Sequence, residues 1–493
     1  MKHPFLVIAL LLFSGMTYSN NIVLPGLISD GMVLQRDAEV NLWGKALPGK
    51  TLKVTTSWND ASYRAIPDAE GNWKIPVTTG EAGGPYEITI RQGGEEVRVS
   101  DILLGEVWLC SGQSNMQMPV MGYSSQPVDG SFEALLDAPS HRNVRLLIIP
   151  RQIEKGRTDF PETSWQKAGV ASAAQFSAIG WFFATGLEKA LGVPVGIIEA
   201  DWGGTRIEAW MTRESVLEAA PGANDFRHSV NSIQALYDNI IWPVRNYTVK
   251  GFLWYQGESN KENPEQYAQL MSGMVSDWRA LFPSCGALPF YYAMVAPFKY
   301  DNGYDDAKGI MPDLVAPMLW EAQTKALGLI PNSDMAVTTD IGDAIFIHPS
   351  QKKKVADRLL MLAMHGTYQD AVGFSGMPSL AWRGPIFRKA EFVGPEAYVD
   401  FDSPCTLYPV NPLENRQIDG FEIAGSDRVF HKADAYVKQD RPYAFSNTVV
   451  VSSPEVSEPV AVRYCFHNVP SGNLTNTIGL PAVPFRTDDW NDR

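Results

Sequence analysis

Between residues 105 and 380 the chain alternates short apolar runs with amphipathic stretches, and no other feature restricts its fold so strongly. Val144 to Ile149, Val193 to Ala200, Lys250 to Tyr255, Phe290 to Val295 and Met335 to Thr338 read as strands, most of them apolar enough to be covered on both faces. Helical spacing marks Ala178 to Leu191, Pro264 to Phe282 and Ser350 to His365, where Val355, Leu359, Leu362 and Ala363 share a face. Strand and helix in alternation predict an α/β unit with a parallel sheet wrapped by helices. Such sheets bind ligands beyond the carboxyl ends of their strands.

The flanks read differently. Residues 20–104 carry short period-two runs (Glu39 to Trp43, Thr51 to Thr55, Tyr86 to Ile90) between turn signals such as Pro48-Gly49, Gly71-Asn72 and Gly93-Gly94, which predicts a small β-sandwich. Residues 385–493 return to strands at Ala397 to Phe401, Thr448 to Val451 and Val460 to Tyr464, predicting a C-terminal β-domain. The expected division is 1–19, 20–104, 105–384 and 385–493.

Met1-Lys2-His3 followed by an apolar run to Phe13 and small or polar residues to Ser19 predicts a signal peptide over 1–19. The mature protein is then exported, whether periplasmic, secreted or lumenal. No later stretch is long and apolar enough to predict a membrane-spanning helix. A net charge of −14 with no basic block argues against nucleic acid or an anionic membrane as partner. Four cysteines in 493 residues are too few for a disulfide scaffold. Cys405 and Cys465 share the C-terminal region and are candidates for a bridge; Cys110 falls in a strand and Cys285 in a loop. The chain has no zinc-spaced Cys/His cluster, Walker loop or dinucleotide fingerprint, so neither a metal nor a cofactor is expected.

Four polar loops follow strand candidates: Ser111-Gly112-Gln113-Ser114-Asn115, Asp201-Trp202-Gly203-Gly204-Thr205, Gln256-Gly257-Glu258-Ser259-Asn260, and Asp340 to Pro349. If they converge, they supply the parts of a serine hydrolase. Ser114, past Gly112, is the candidate nucleophile, and an alcohol at neutral pH needs a base within reach. His348 is the candidate base among seven histidines, because it lies on a polar strand-to-helix loop. Acyl transfer also needs oxyanion donors; the candidates are the Ser114 N–H, an N–H of Gly203 or Gly204, and the Gln256 amide. Trp202, Arg206, Glu208 and Trp210 suit a sugar subsite, with Trp210 equally suited to a core.

Gly105 to Met116, Gly203 to Trp210, Trp254 to Asn260 and Pro484 to Trp490 together resemble the sialate O-acetylesterase family, over a span from about residue 22 to the C-terminus. The resemblance implies an SGNH-hydrolase fold, a flavodoxin-like three-layer sandwich. It also implies metal-free hydrolysis of sugar acetyl esters through an acetyl-serine, with Ser114 as nucleophile and His348 as base. In one place the chain departs from the family pattern. An acidic residue usually stands two or three positions before the histidine, and here those places hold Ile345 and Phe346. Glu258 is the favoured replacement to orient His348, and Asp343 the alternative. A third reading is a crippled site that only binds glycans. An acetylesterase for xylan or a related polysaccharide shares the same motifs and is the other enzyme reading.

Overall fold

One 18-residue strand, Glu95–Gly112 (β1), runs through two parts of the molecule. The computed structural model describes residues 22–154, 156–283, 287–300, 312–370, 382–407, 417–438 and 446–490. The expected signal peptide and Cys285 lie outside them. The first half of β1 pairs antiparallel with Gly83–Gln92 in the N-terminal β-region and parallel with Val33–Gln35. Its second half is central to a parallel sheet, so the expected boundary at 104/105 falls inside a continuous strand.

The other parallel strands are Val144–Ile148 (β2), Val195–Asp201 (β3), Gly251–Tyr255 (β4), Phe290–Ala293 (β5) and Ser333–Ala336 (β6). Their spatial order is β2-β3-β1-β4-β5-β6. With β2 set aside as an added outer strand, the remaining five run second, first, third, fourth, fifth, which is the flavodoxin-like order. That order places a crevice where the connections leave β1 in opposite directions. The register also brings the strand ends level: Gly112 stands opposite Asp201 on one side and Tyr255 on the other.

Residue parity decides which layer each strand residue joins, since successive strand side chains point to opposite faces. Trp108, Cys110, Leu253, Tyr255, Tyr291 and Ala293 share a core with the helices Ala178–Leu191 (α1) and Lys352–Gly366 (α4). Leu109, Phe252, Trp254, Phe290 and Tyr292 face the opposite layer, built from Pro264–Leu281 (α2) and Val315–Leu329 (α3). The result is a three-layer α/β/α sandwich. Complete burial of Trp108, Trp181, Trp254, Trp278 and Trp320 stabilises it, each large apolar side chain by about 1.5–3 kcal/mol.

The N-terminal region forms the expected β-sandwich, with burial alternating along Asn72–Thr78, and its core is continuous with one face of the parallel sheet. The C-terminal region packs two antiparallel sheets, one around Phe387–Val393, Glu396–Leu407 and Ser446–Ser452, the other around Phe421–Ala424 and Ala461–Tyr464. It docks on the α/β unit through Arg486 with Glu321 and through Arg383 and Trp382 with Asp334. Cys405 and Cys465 are buried as free thiols, so the candidate bridge is not formed. Burial pushes the Cys465 thiol up to about 12.

Gly112 is where β1 comes closest to its neighbour. Its φ is +141°, and a Cβ there would lie 2.1 Å from the Tyr255 carbonyl oxygen. Gly112→Ala is therefore expected to lower the unfolding free energy by about 2–4 kcal/mol through strain and overpacking. Urea denaturation checks this, and a midpoint equal to the parent's would contradict the close approach.

Candidate active site

Because Gly112, Asp201 and Tyr255 end level, the residues two positions beyond each of them begin at one height over the crevice. Gln113 secures the first of these exits. Its N–H donates to Tyr255 O (3.0 Å), and its side-chain Oε1 accepts from Gly257 N (3.4 Å) and Ser259 N (3.3 Å). A single helical turn, Ser114–Gln117, follows. Ser114 opens that turn half-buried. Among the described residues neither its hydroxyl as donor nor its N–H has an acceptor.

The second exit comes up against the first. Trp202 N donates to Gly112 O (3.0 Å). A Cβ built on Gly203 would lie 3.2 Å from Ser114 Cβ and 2.9 Å from Gln117 Oε1, so glycine is what lets the loop reach the serine. The Gly203 N–H donates to Gln117 Oε1 (2.6 Å). The Gly204 N–H has no acceptor among the described residues, and Gly204 is exposed.

Two expectations about these loops change, and the open choice for Trp210 falls to the core. Gln256 is fully buried, and both its amide hydrogens are used: Nε2 donates to Thr205 O (2.9 Å) and Asn260 Oδ1 (2.8 Å), while Oε1 accepts from Tyr267 (2.8 Å). It braces one loop against another and has no donor left for an oxyanion. Trp210 is 0 % exposed, sits edge-on to Trp254 at 5.8 Å and donates to Thr205 Oγ1 (3.0 Å), so it belongs to the core. Glu208 is buried and accepts from Arg206 Nη2 (3.0 Å) and Asn260 Nδ2 (2.8 Å), which makes it structural. Arg206 is thereby charge-matched and lies over the Phe226 ring at 5.1 Å. Trp202 is half-buried beside the glycines, where a ligand could reach it.

His348 comes in on the loop between β6 and α4. It makes no hydrogen bond to Ser114 in this structure. The two are linked through Tyr123, whose hydroxyl donates to Ser114 O (3.1 Å) and whose ring meets the imidazole edge-on at 5.1 Å. Catalytic hydrogen bonds are often longer before substrate arrives. The Nδ1 partner of His348 is Gln126 Oε1, at 2.9 Å.

Neither carboxylate considered for the imidazole reaches it. Glu258 Oε1 instead accepts from Asn115 Nδ2 (2.5 Å), and the same nitrogen donates to Ile347 O (3.1 Å). Asn115 Oδ1 accepts from the fully buried Lys352, the first residue of α4. Asn115 thus ties the serine, glutamate and histidine loops together. Asp343 is exposed and accepts from the backbone N–H of Ile345 (2.7 Å) and Phe346 (3.0 Å), the local turn to which aspartate is suited.

The electrostatics follow from burial. Desolvation, helped by the charge on Lys352, brings His348 down to about 4, so its imidazole is neutral at pH 7. Desolvation also brings Lys352 down to about 7, against the pull of Glu258, and raises the Glu258 carboxyl above its ordinary range. Behind the glycine loop, Arg151 binds the buried carboxylates of Glu199 and Asp201. Burial brings Asp201 up to about 6.

Tyr123, Gln126, Asn115 and Lys352 are the parts that sequence reasoning missed. Asn115 sits inside the serine motif, where its side chain could have been questioned. Gln126 stands 222 residues from His348 and carries no local signal. Lys352 opens the run Lys352-Lys353-Lys354, which reads as a solvated face.

The model of a carbohydrate esterase family, the sialic acid-specific acetylesterases, matches residues 104–336, a span that holds Ser114, Gly203 and Gln256 and ends before His348. Sialate O-acetylesterase of Mus musculus is 30 % identical over 430 residues, covering 74 % of this chain and 76 % of its own length. That of Homo sapiens is 29 % identical over 460 residues, covering 85 % and 83 %. The crystal structure of a carbohydrate acetylesterase from Xanthomonas citri superposes with a TM-score of 0.83 at 33 % identity, covering 95 % of this chain and all of that one.

Gln256→Leu separates a brace from an oxyanion donor. It leaves the buried Thr205 O without its donor and Asn260 Oδ1 with only the Ile207 N–H, and is expected to cost about 1–3 kcal/mol of stability in chemical denaturation. Unchanged stability with lost turnover would return Gln256 to the oxyanion hole.

Proposed function

This chain belongs to the sialate O-acetylesterase family and is a carbohydrate O-acetylesterase, and we propose that Ser114 is its nucleophile and His348 its general base. The observation that carries this reading is the meeting of loops over the level strand ends. There the Ser114 hydroxyl stands unengaged against Gly203, and the imidazole is anchored through Nδ1, which leaves Nε2 to take a proton.

In the first half-reaction His348 Nε2 takes the proton of Ser114 Oγ as the oxygen attacks the acetyl carbonyl carbon. The carbonyl oxygen becomes an oxyanion, for which the Ser114 and Gly204 N–H groups are the unengaged donors. Collapse breaks the bond to the sugar oxygen, which leaves with the proton from His348, and the acetyl group stays on Ser114. Water then attacks the acetyl-serine with His348 as base, releasing acetate and restoring the serine. The apolar run Phe5 to Phe13 supports export of the enzyme. Among the described residues no helix is long and apolar enough to cross a membrane.

The sugar has two readings. The family's description points to O-acetylated sialic acid. The Arg206–Glu208 pair favours a neutral acetylated sugar, because the guanidinium that the sequence offered for a sugar carboxylate already has a carboxylate partner. Trp202 suits the ring face of either.

Acetate release from O-acetylated sialic acid, acetylated xylan and a small acetyl ester separates these readings. Ser114→Ala is expected to lower turnover on all of them by about 10⁴ or more while remaining folded by circular dichroism; parental turnover would refute the assignment. The low-lying imidazole sets the acid limb. Protonation removes the base, so kcat/KM should persist on acidification and fall only near pH 4, well below the 6.5 of an ordinary histidine. A pH profile on the small ester measures this.

A further inference from the structure

The serine turn and the histidine loop are bridged by a short hairpin. Tyr123 and Gln126 exchange both backbone hydrogen bonds, Tyr123 N to Gln126 O (2.9 Å) and Gln126 N to Tyr123 O (3.0 Å). One end of the hairpin is held by the Tyr123 hydroxyl on Ser114 O. Farther along, Asp129 N donates to Ser350 O (3.0 Å), two residues past the histidine. Gly122, with φ of +79°, makes the bend, and a Cβ there would lie 2.5 Å from Gln126 O. The Gln126 side chain is thus presented by fixed backbone, and its Oε1 lies 2.9 Å from His348 Nδ1.

A side-chain carbonyl accepts and does not donate, so this contact requires Nδ1 to carry the hydrogen and leaves the Nε2 lone pair for a serine proton. The titratable and charged groups around the imidazole are Tyr123 from the hairpin, Lys352 from α4, and Glu258, the last set apart by Asn115. Among the described residues no carboxylate is bonded to the ring.

Resting on the serine–histidine reading above, we propose that Gln126 is the positioning residue of the active site, fixing His348 as the Nδ1-protonated tautomer through a neutral acceptor where a triad would use a carboxylate. A neutral acceptor sets orientation and tautomer but lends no negative charge to the imidazolium that forms during acyl transfer. The site therefore works with a well-placed base and a less stabilised charged state, and a carboxylate at the same position should improve it.

Two substitutions and two readouts test this. Gln126→Glu is expected to raise kcat on a small acetyl ester at pH 7 by about tenfold or more, with KM little changed. It is also expected to move the acid limb of the profile up by about 1–3 in pH, because a neighbouring negative charge favours the protonated ring. Gln126→Leu is expected to lower kcat by about 10² and, in ¹⁵N NMR of labelled histidine, to replace the single Nδ1–H tautomer of His348 by a mixture. Parental acid limb and turnover in Gln126→Glu, together with an unchanged His348 tautomer in Gln126→Leu, would overturn the proposal. Failure of the serine reading shows separately, as acetate release that survives Ser114→Ala. The tautomer comparison would then still decide the role of Gln126.

Discussion

The register of three adjacent strands is the constraint on which the rest depends. Gly112, Asp201 and Tyr255 end at one level, so loops separated by some 90 and 50 residues in sequence emerge side by side. Parallel pairing allows this because every connection returns through a helix, which leaves all carboxyl ends on one edge. Glycine at position 112 lets β1 pass the Tyr255 carbonyl, and glycine at 203 lets the second loop touch the serine. A slip of one residue in either pairing would turn the strand faces over and separate Ser114 from its neighbours.

The loops above the sheet are held by buried polar contacts more than by apolar packing. Gln256, Asn260 and Glu208 bind one another and the backbone of the glycine loop, while Lys352, Asn115 and Glu258 join serine, glutamate and histidine loops. An unpaired buried polar group costs about 1–3 kcal/mol, and among the described residues these contacts leave only Glu258 Oε2 of the network side chains without a partner. Their geometry is correspondingly strict, and strictness is what a site for acyl transfer requires. The same burial keeps His348 neutral and Lys352 near neutrality.

Much of the framework was legible in the sequence. The helix expected over Ala178 to Leu191 is found with those bounds, and Pro264–Leu281 and Lys352–Gly366 differ from expectation only at their ends, because helical periodicity is a local property. Helix Val315–Leu329 was missed, since it is apolar around much of its surface and its period is weak. The roles of Gln256 and Glu208 were misjudged for a different reason. A motif shows that a residue matters to a site but not whether it faces the ligand or braces the loop behind it. The partner of the imidazole was missed because glutamine on a hairpin carries no pattern at all.

Sequence alone determined the α/β alternation, the β-regions on either side, and the four polar loops with Ser114 and His348 among them, because periodicity, turn chemistry and residue type act over a few positions. Tertiary structure alone decided which groups meet: Gly203 with Ser114, Asn115 with Glu258 and Lys352, and Gln126 with His348 in place of either carboxylate. The physical reason is that hydrogen bonds extend about 3 Å. Reach of that kind is set by strand register and by the packing beneath each loop, which no short stretch of sequence contains.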